Sequence, residues 1–203
     1  MKRSKIKSLF RVRMKSRSTG EMINSTSIMI PFAESSQFGP SSIARALYQT
    51  FNESTVDYTP RVLTIHVSRF STNDKGEPMK NNADINFTEL LDLTEYQAPS
   101  VYLLKSVIRC GGSAEDGHWI NITKGPSKEW YLIDEEHYYP GELKYLLEHV
   151  DEVASRDLKH VPLIFTYVKE GLTLTEELTG QKKEPHSPSG GEKATGRWFT
   201  KLL

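Results

Sequence analysis

His118 and Asp134 are the two side chains whose types and spacing suit acid–base chemistry. An imidazole can take a proton and return it near neutral pH, and a carboxylate on its second nitrogen fixes the ring's orientation. His118 follows Gly117, where a missing side chain would let a substrate backbone come close, and it opens the run His118-Trp119-Ile120-Asn121-Ile122-Thr123. Asp134 stands sixteen residues further on, after a turn and at the end of the next apolar run, so a hairpin can bring the two side chains together. On residue types alone, the commoner meaning of such a pair is a surface ion pair on a hairpin. The third reactive group is the single cysteine, Cys110, eight residues before His118. One cysteine excludes an internal disulfide framework and gives no basis for a cysteine-ligated metal. Its ordinary reading is a small, partly buried thiol.

These residues need strands to hold them. Val101–Ile108 is the strongest strand signal in the chain, expected to break at Gly111-Gly112-Ser113. A short acidic loop leads into the run from His118, Lys124–Lys128 reads as a turn, and Trp130-Tyr131-Leu132-Ile133 begins another strand. Upstream, Ile28–Phe32 reads as a strand ending at a proline. Ser41 or Ser42 caps a short helix with Ile43, Leu47 and Phe51 on its apolar face. The dense apolar content of Arg61–Val67 predicts a strand covered on both faces, and Ser71–Asn82 a loop or hairpin tip. Ile85-Asn86-Phe87 leads to a short extended segment at Leu90–Leu93. Leu143, Leu146, Leu147 and Val150 have helical spacing, which predicts a helix over 141–154, and Val161–Val168 reads as the closing strand. Six or seven short strands and two helices over 20–169 indicate an α+β domain dominated by antiparallel pairing.

Composition adds boundaries. The chain has 203 residues, 37% hydrophobic and 26% charged, which suits one domain with tails. No apolar run approaches the roughly 18 residues of a membrane span, and nothing behind the basic start resembles a secretory signal. The default expectation is therefore an intracellular protein, cytoplasmic or nuclear. Residues 1–17 carry eight basic side chains and no acid, so the other 18 basic residues face 26 acidic ones, a net of −8. Residues 1–18 are read as a disordered, solvated arm. The helical spacing of Ile6, Leu9, Phe10 and Met14 also fits an organelle transit peptide, and the arm could touch nucleic acid, an acidic partner or anionic lipid. Beyond Glu170 the Gly, Pro, Ser, Lys and Glu content predicts a disordered tail over 171–203, in which Trp198 and Phe199 form an isolated aromatic pair.

Four blocks in order resemble the ubiquitin-specific proteases, the papain-like thiol hydrolases that act on ubiquitin conjugates. Pro60–Phe70 is similar to the family strand that runs from a proline to an Arg-Phe pair. Tyr102–Gly112 followed by Gly117-His118-Trp119 is similar to the histidine box. Trp130–Glu135 resembles the box that supplies the acidic or amide member of the triad, and Pro162–Tyr167 the last core strand. The resemblance spans residues 20–169 and corresponds to the C-terminal, sheet-rich half of the family's catalytic domain, with the helical thumb half missing. It implies that His118 is the general base and Asp134 its orienting partner, with Gly117 and Trp119 beside the substrate. Trp119 replaces the more usual tyrosine and would still form an aromatic wall.

One departure decides the functional expectation. Residues 1–59 contain no cysteine and nothing resembling the box that carries the family's nucleophile, and Cys110 stands where the family usually has another histidine. The family's zinc-binding cysteine pairs are absent too, so no metal or cofactor is implied. A thiol protease without its thiol loses several powers of ten in rate, while a broad binding surface need not be lost. The resemblance thus implies a catalytically incomplete protein that binds ubiquitin or a ubiquitin-like protein, or another partner. One alternative is half of an active deubiquitinase whose cysteine box comes from another chain or a missing N-terminal segment. A second is a basic-arm protein that binds nucleic acid or an acidic surface. Since the family's two halves pack on each other, a partner chain, self-association or marginal stability is also expected.

Overall fold

The computed structural model describes residues 9–31, 42–94, 100–154 and 158–171. Its spine is a mixed sheet of eight strands in which β5 (Val62–Ser68), β9 (Val101–Gly112), β10 (Gly117–Lys124), β11 (Trp130–Asp134) and β13 (Val161–Lys169) supply the centre. The order is β12-β11-β10-β9-β13-β5-β3, with β12 at His137–Gly141 and β3 at Ile28–Pro31. β8 (Leu90–Asp92) pairs with the start of β9 on the edge opposite β13, the edge that β10 occupies further along. Every pairing in this sheet is antiparallel except β3 on β5. This is the sheet-rich α+β architecture expected of part of a papain-like fold.

Alternation explains which face is buried. Along β5, Val62, Leu63, Ile65 and Val67 are buried while Thr64, His66 and Ser68 are half-buried, so only one face of this strand is fully covered. In β10 and β11 the inward residues Ile120, Ile122, Trp130 and Leu132 join Val107, Leu104, Phe165 and Tyr167 in one core. Side chains two apart on a strand share a face, so this core continues directly to His118 and Asp134 at its end. Helix α1 (Ile43–Glu53) starts where Ser42 Oγ accepts from the Arg45 backbone N–H at 3.2 Å, and it buries Ile43, Ala46, Leu47 and Phe51.

The N-terminal arm departs from expectation. From residue 9 onward it belongs to the domain: β1 (Val12–Ser16) is the middle strand of a three-stranded sheet between β2 (Met22–Ser25) and β4 (Ser54–Tyr58). Val12 and Met14 are buried, whereas Arg13 points outward and pairs with Asp57 at 2.5 Å. The helical spacing that includes Met14 competed with a two-residue alternation whose partner strand β4 lies some forty residues away, which local pattern does not reveal. Lys2, Arg3, Lys5, Ile6 and Lys7 lie outside the described residues, as does the tail from 172 onward with Trp198 and Phe199.

Two more differences bear on the site. The single helix expected over 141–154 is two short ones, α2 (Leu143–Glu148) and α3 (Val150–Val153), broken at His149. β9 also does not stop at Gly111; it runs through Gly112, and the hairpin to β10 turns at Ser113–Asp116. Gly112 has φ of +78°, and a Cβ there would lie 2.5 Å from the Asp116 carbonyl oxygen, so this position requires glycine. The remaining short pairing, β6 (Phe70–Thr72) with β7 (Pro78–Lys80), is the hairpin foreseen around residues 71–82. Among the described residues no helix is long and apolar enough to cross a membrane.

Candidate active site

His118 pairs with Gly111 across the β9–β10 ladder, and Asn121 pairs with Ile133 across β10–β11. Extending the second register by one residue sets Asp134 opposite Ile120, two places from His118 on the same face. The hairpin therefore delivers the two side chains to one spot, with His118 Nε2 2.6 Å from Asp134 Oδ1. Both side chains are nearly buried, at 12% and 11% exposure. The contact is of ion-pair length but lies off the N–H axis, and neither atom has another hydrogen-bond partner. Such bonds in a site without substrate are often poorly aligned and tighten when the site is filled. With Nε2 committed to the carboxylate, Nδ1 is the ring nitrogen left to exchange a proton with a substrate or nucleophile.

Cys110 is one residue away from Gly111 and on the other side of the sheet. It pairs with Trp119 and Val161, so its side chain shares their face, not that of His118. A Cβ built on Gly117, which alternates with His118, would lie 3.5 Å from the Cys110 sulfur. The thiol is fully buried and donates to the Gly111 carbonyl at 3.5 Å. Burial pushes it up from the usual thiol range, partly offset by the charges of Lys80 and Arg69. A nucleophilic thiol needs the reverse shift and an open approach. Cys110 has neither.

The cations around Cys110 are structural. Lys80 Nζ donates to the carbonyls of Cys110 and Gly112 at 2.8 and 2.9 Å, tying β7 to the end of β9. Arg69 is buried and donates to the carbonyls of Pro162, Asn81 and Ala83. Trp119, expected to wall the imidazole, is half exposed on the Cys110 face, so its ring does not flank that of His118. Gly117 is exposed at the mouth of the hairpin.

Glu135 is brought to the site by a positive φ of 53°, and His118, Asp134 and Glu135 offer ligand atoms within 4.8 Å of one another. Ligands on one tetrahedral zinc stand about 3.3 Å apart, given zinc–ligand distances near 2 Å. The 2.6 Å contact between His118 and Asp134 is shorter than that span, so the pair as it stands is closed against an ion.

One residue escaped the reading of the sequence. His160, just before β13, is wholly buried within 5.5 Å of the His118 ring, centroid to centroid, with the planes at 77°. Its signal was the side-chain gap at Gly111, which a pleat argument across three strands could have exposed.

Comparison with known proteins matches this arrangement to a family. The family described as "Ubiquitin carboxyl-terminal hydrolase" matches residues 1–167. Ubiquitin carboxyl-terminal hydrolase 1 of Arabidopsis thaliana is 27% identical over 112 residues, covering 45% of this chain and 10% of that protein. Ubiquitin carboxyl-terminal hydrolase 17 of Homo sapiens is 30% identical over 87 residues, covering 40% and 16%. Among solved structures, the SAGA Ubp8/Sgf11/Sus1/Sgf73 DUB module aligns with a TM-score of 0.61 at 13% identity, over 82% of this chain and 39% of that one. The same module bound to ubiquitin aldehyde gives 0.61 at 12% identity, over 82% and 42%. The chain thus spans a tenth to about a sixth of these curated relatives and about two fifths of the solved chains.

Proposed function

Because the chain belongs to the ubiquitin carboxyl-terminal hydrolase family, we propose that these residues form a ubiquitin-binding, non-hydrolysing version of its sheet-rich half. One observation carries the reading: His118 and Asp134 hold an acid–base geometry, while the only cysteine thiol in the sequence lies buried on the opposite face. His118 would be the general base and Asp134 its orienting partner in a complete triad; without a thiol neither can start acyl transfer. The site end of β10, with exposed Gly117 and half-exposed Trp119, would contact the modifier. Exposed Met22, Ile23, Met29, Leu90 and Leu103 give further apolar area for a partner chain.

Titration of labelled ubiquitin into the protein at modest salt tests the binding half of this reading. Saturable binding that weakens in Trp119→Ala is expected; no binding up to millimolar ubiquitin would overturn it.

A second reading has its own support in the preserved 2.6 Å contact: a cysteine box supplied by another polypeptide would meet a ready base. It predicts hydrolysis of a fluorogenic ubiquitin substrate only when that polypeptide is added, and loss of that hydrolysis in His118→Ala.

A further inference from the structure

The gap at Gly111 is where two imidazoles meet. The register Val161↔Cys110, extended by one residue, puts His160 opposite Gly111, and Gly111 is itself opposite His118. Three residues on β10, β9 and the lead into β13 therefore form one row across the sheet, all on the same face. Alternate strands stand roughly 9.6 Å apart, too far for two rings to touch over a side chain. With glycine in the middle they lean inward and meet edge to face at 5.5 Å. The fit leaves no slack: a Cβ on Gly111 would lie 2.7 Å from His160 Cδ2 and Nε2.

His160 is anchored from behind. Asp151 Oδ1 lies 2.7 Å from His160 Nδ1 and also accepts the His160 backbone N–H at 3.1 Å. The His160 carbonyl accepts from Arg109 Nε at 3.1 Å and also from Nη2. The break between α2 and α3 begins the short helix that carries Asp151. With Nδ1 turned to the Asp151 carboxylate, the buried Nε2 on the Gly111 side has no hydrogen-bond partner.

We propose that His160, held by Asp151, is a positioning residue for His118. Its ring closes the inner side of the His118 imidazole over Gly111. His118 then cannot swing from Asp134, and Nε2 stays turned to the carboxylate. The inference rests on the reading of His118 as the base of the site, and it adds a second His–Asp pair whose function is to hold the first.

Nitrogen-15 correlation spectra of the imidazoles in the full chain test this without any need for turnover. In the wild type the two His118 ring nitrogens should be well separated in shift, as for one fixed tautomer with the proton on Nε2. In His160→Ala they should converge as the ring reorients, while His160→Phe, which refills the slot with an aromatic edge, should restore the separation. A folded His160→Ala protein with unchanged His118 nitrogen shifts would overturn the proposal and leave His160 a packing residue. Should His160→Ala fail to fold, Asp151→Ala decides, since Asp151 is 43% exposed and its loss frees the anchor without opening the core. Convergence there supports the proposal; fixed shifts refute it. Ubiquitin titration of the same samples separates the two ideas. Converging shifts in a protein that never binds ubiquitin would sink the functional reading and leave this one standing.

Discussion

The two faces of the β9–β10 ladder make opposite environments from neighbouring residues. Gly111, His118, Ile120 and Ile122 line one face and run into the core, where they meet Asp134 and Leu132 from β11. Cys110 and Trp119 lie on the other, where the thiol is sealed beside Lys80 and Arg69. On the first face the end of the apolar run leaves two polar side chains just short of full burial, as the proposed base would need in order to be dry yet reachable. On the second the thiol is shut in. A step of one residue along a strand changes the face, so sequence proximity between a cysteine and a histidine carries no implication of chemistry.

That contrast can be broken first by volume. Ile122→Ala, on the imidazole face, should cost about 2–5 kcal/mol in urea unfolding, since it empties a fully buried site. Trp119→Ala, half exposed on the opposite face, should cost less than about 1 kcal/mol. Equal costs would mean that the two faces are not differently packed.

Overfilling is the next largest effect. Gly111→Ala should destabilise by about 1–3 kcal/mol, because the new methyl meets the His160 ring and that ring has no free volume. A neutral result would show that His160 can move aside.

Alkaline stability comes third, and its sign separates acids from bases. Burial holds the Tyr102 phenol up to about 12 from 10.0, and pushes Tyr167 up as well. Above pH 10 the folded state therefore binds more protons than the unfolded state, and stability falls as pH rises toward 12. Arg69, lowered to about 10 mainly by burial, has the opposite sign over the same window. Tyr102→Phe removes one of the tyrosine contributions and should recover on the order of 2 kcal/mol of the loss between pH 10 and 12. An unchanged slope would mean that the phenol is not buried as described.

How much of this could be read beforehand follows the range of the interactions. The strands around His118 and Asp134 announce themselves by local alternation, and a hairpin needs no distant partner, so the pair was legible. So was the α1 cap at Ser42. Val12 and Met14 were not, because β1 is a strand only by virtue of β2 and β4, and its basic residues looked like a solvated arm. The continuation of β9 through Gly111 was missed for a related reason. Glycine reads as a breaker, and here its missing side chain is the space that two histidines occupy. The same row hid His160, which lies forty-two residues beyond its neighbour in space, His118.

A small effect is also expected from Cys110→Ala, about 1 kcal/mol of lost packing and no change in ubiquitin affinity. It leads to the most direct trial. Incubating the folded protein with ubiquitin bearing a C-terminal electrophile, then weighing the product by intact mass spectrometry, asks whether any thiol here serves the base. The sealed thiol on the far face predicts no adduct. A stoichiometric adduct on Cys110, absent in both Cys110→Ala and His118→Ala, would contradict the claim that this sequence holds the acid–base pair without its nucleophile.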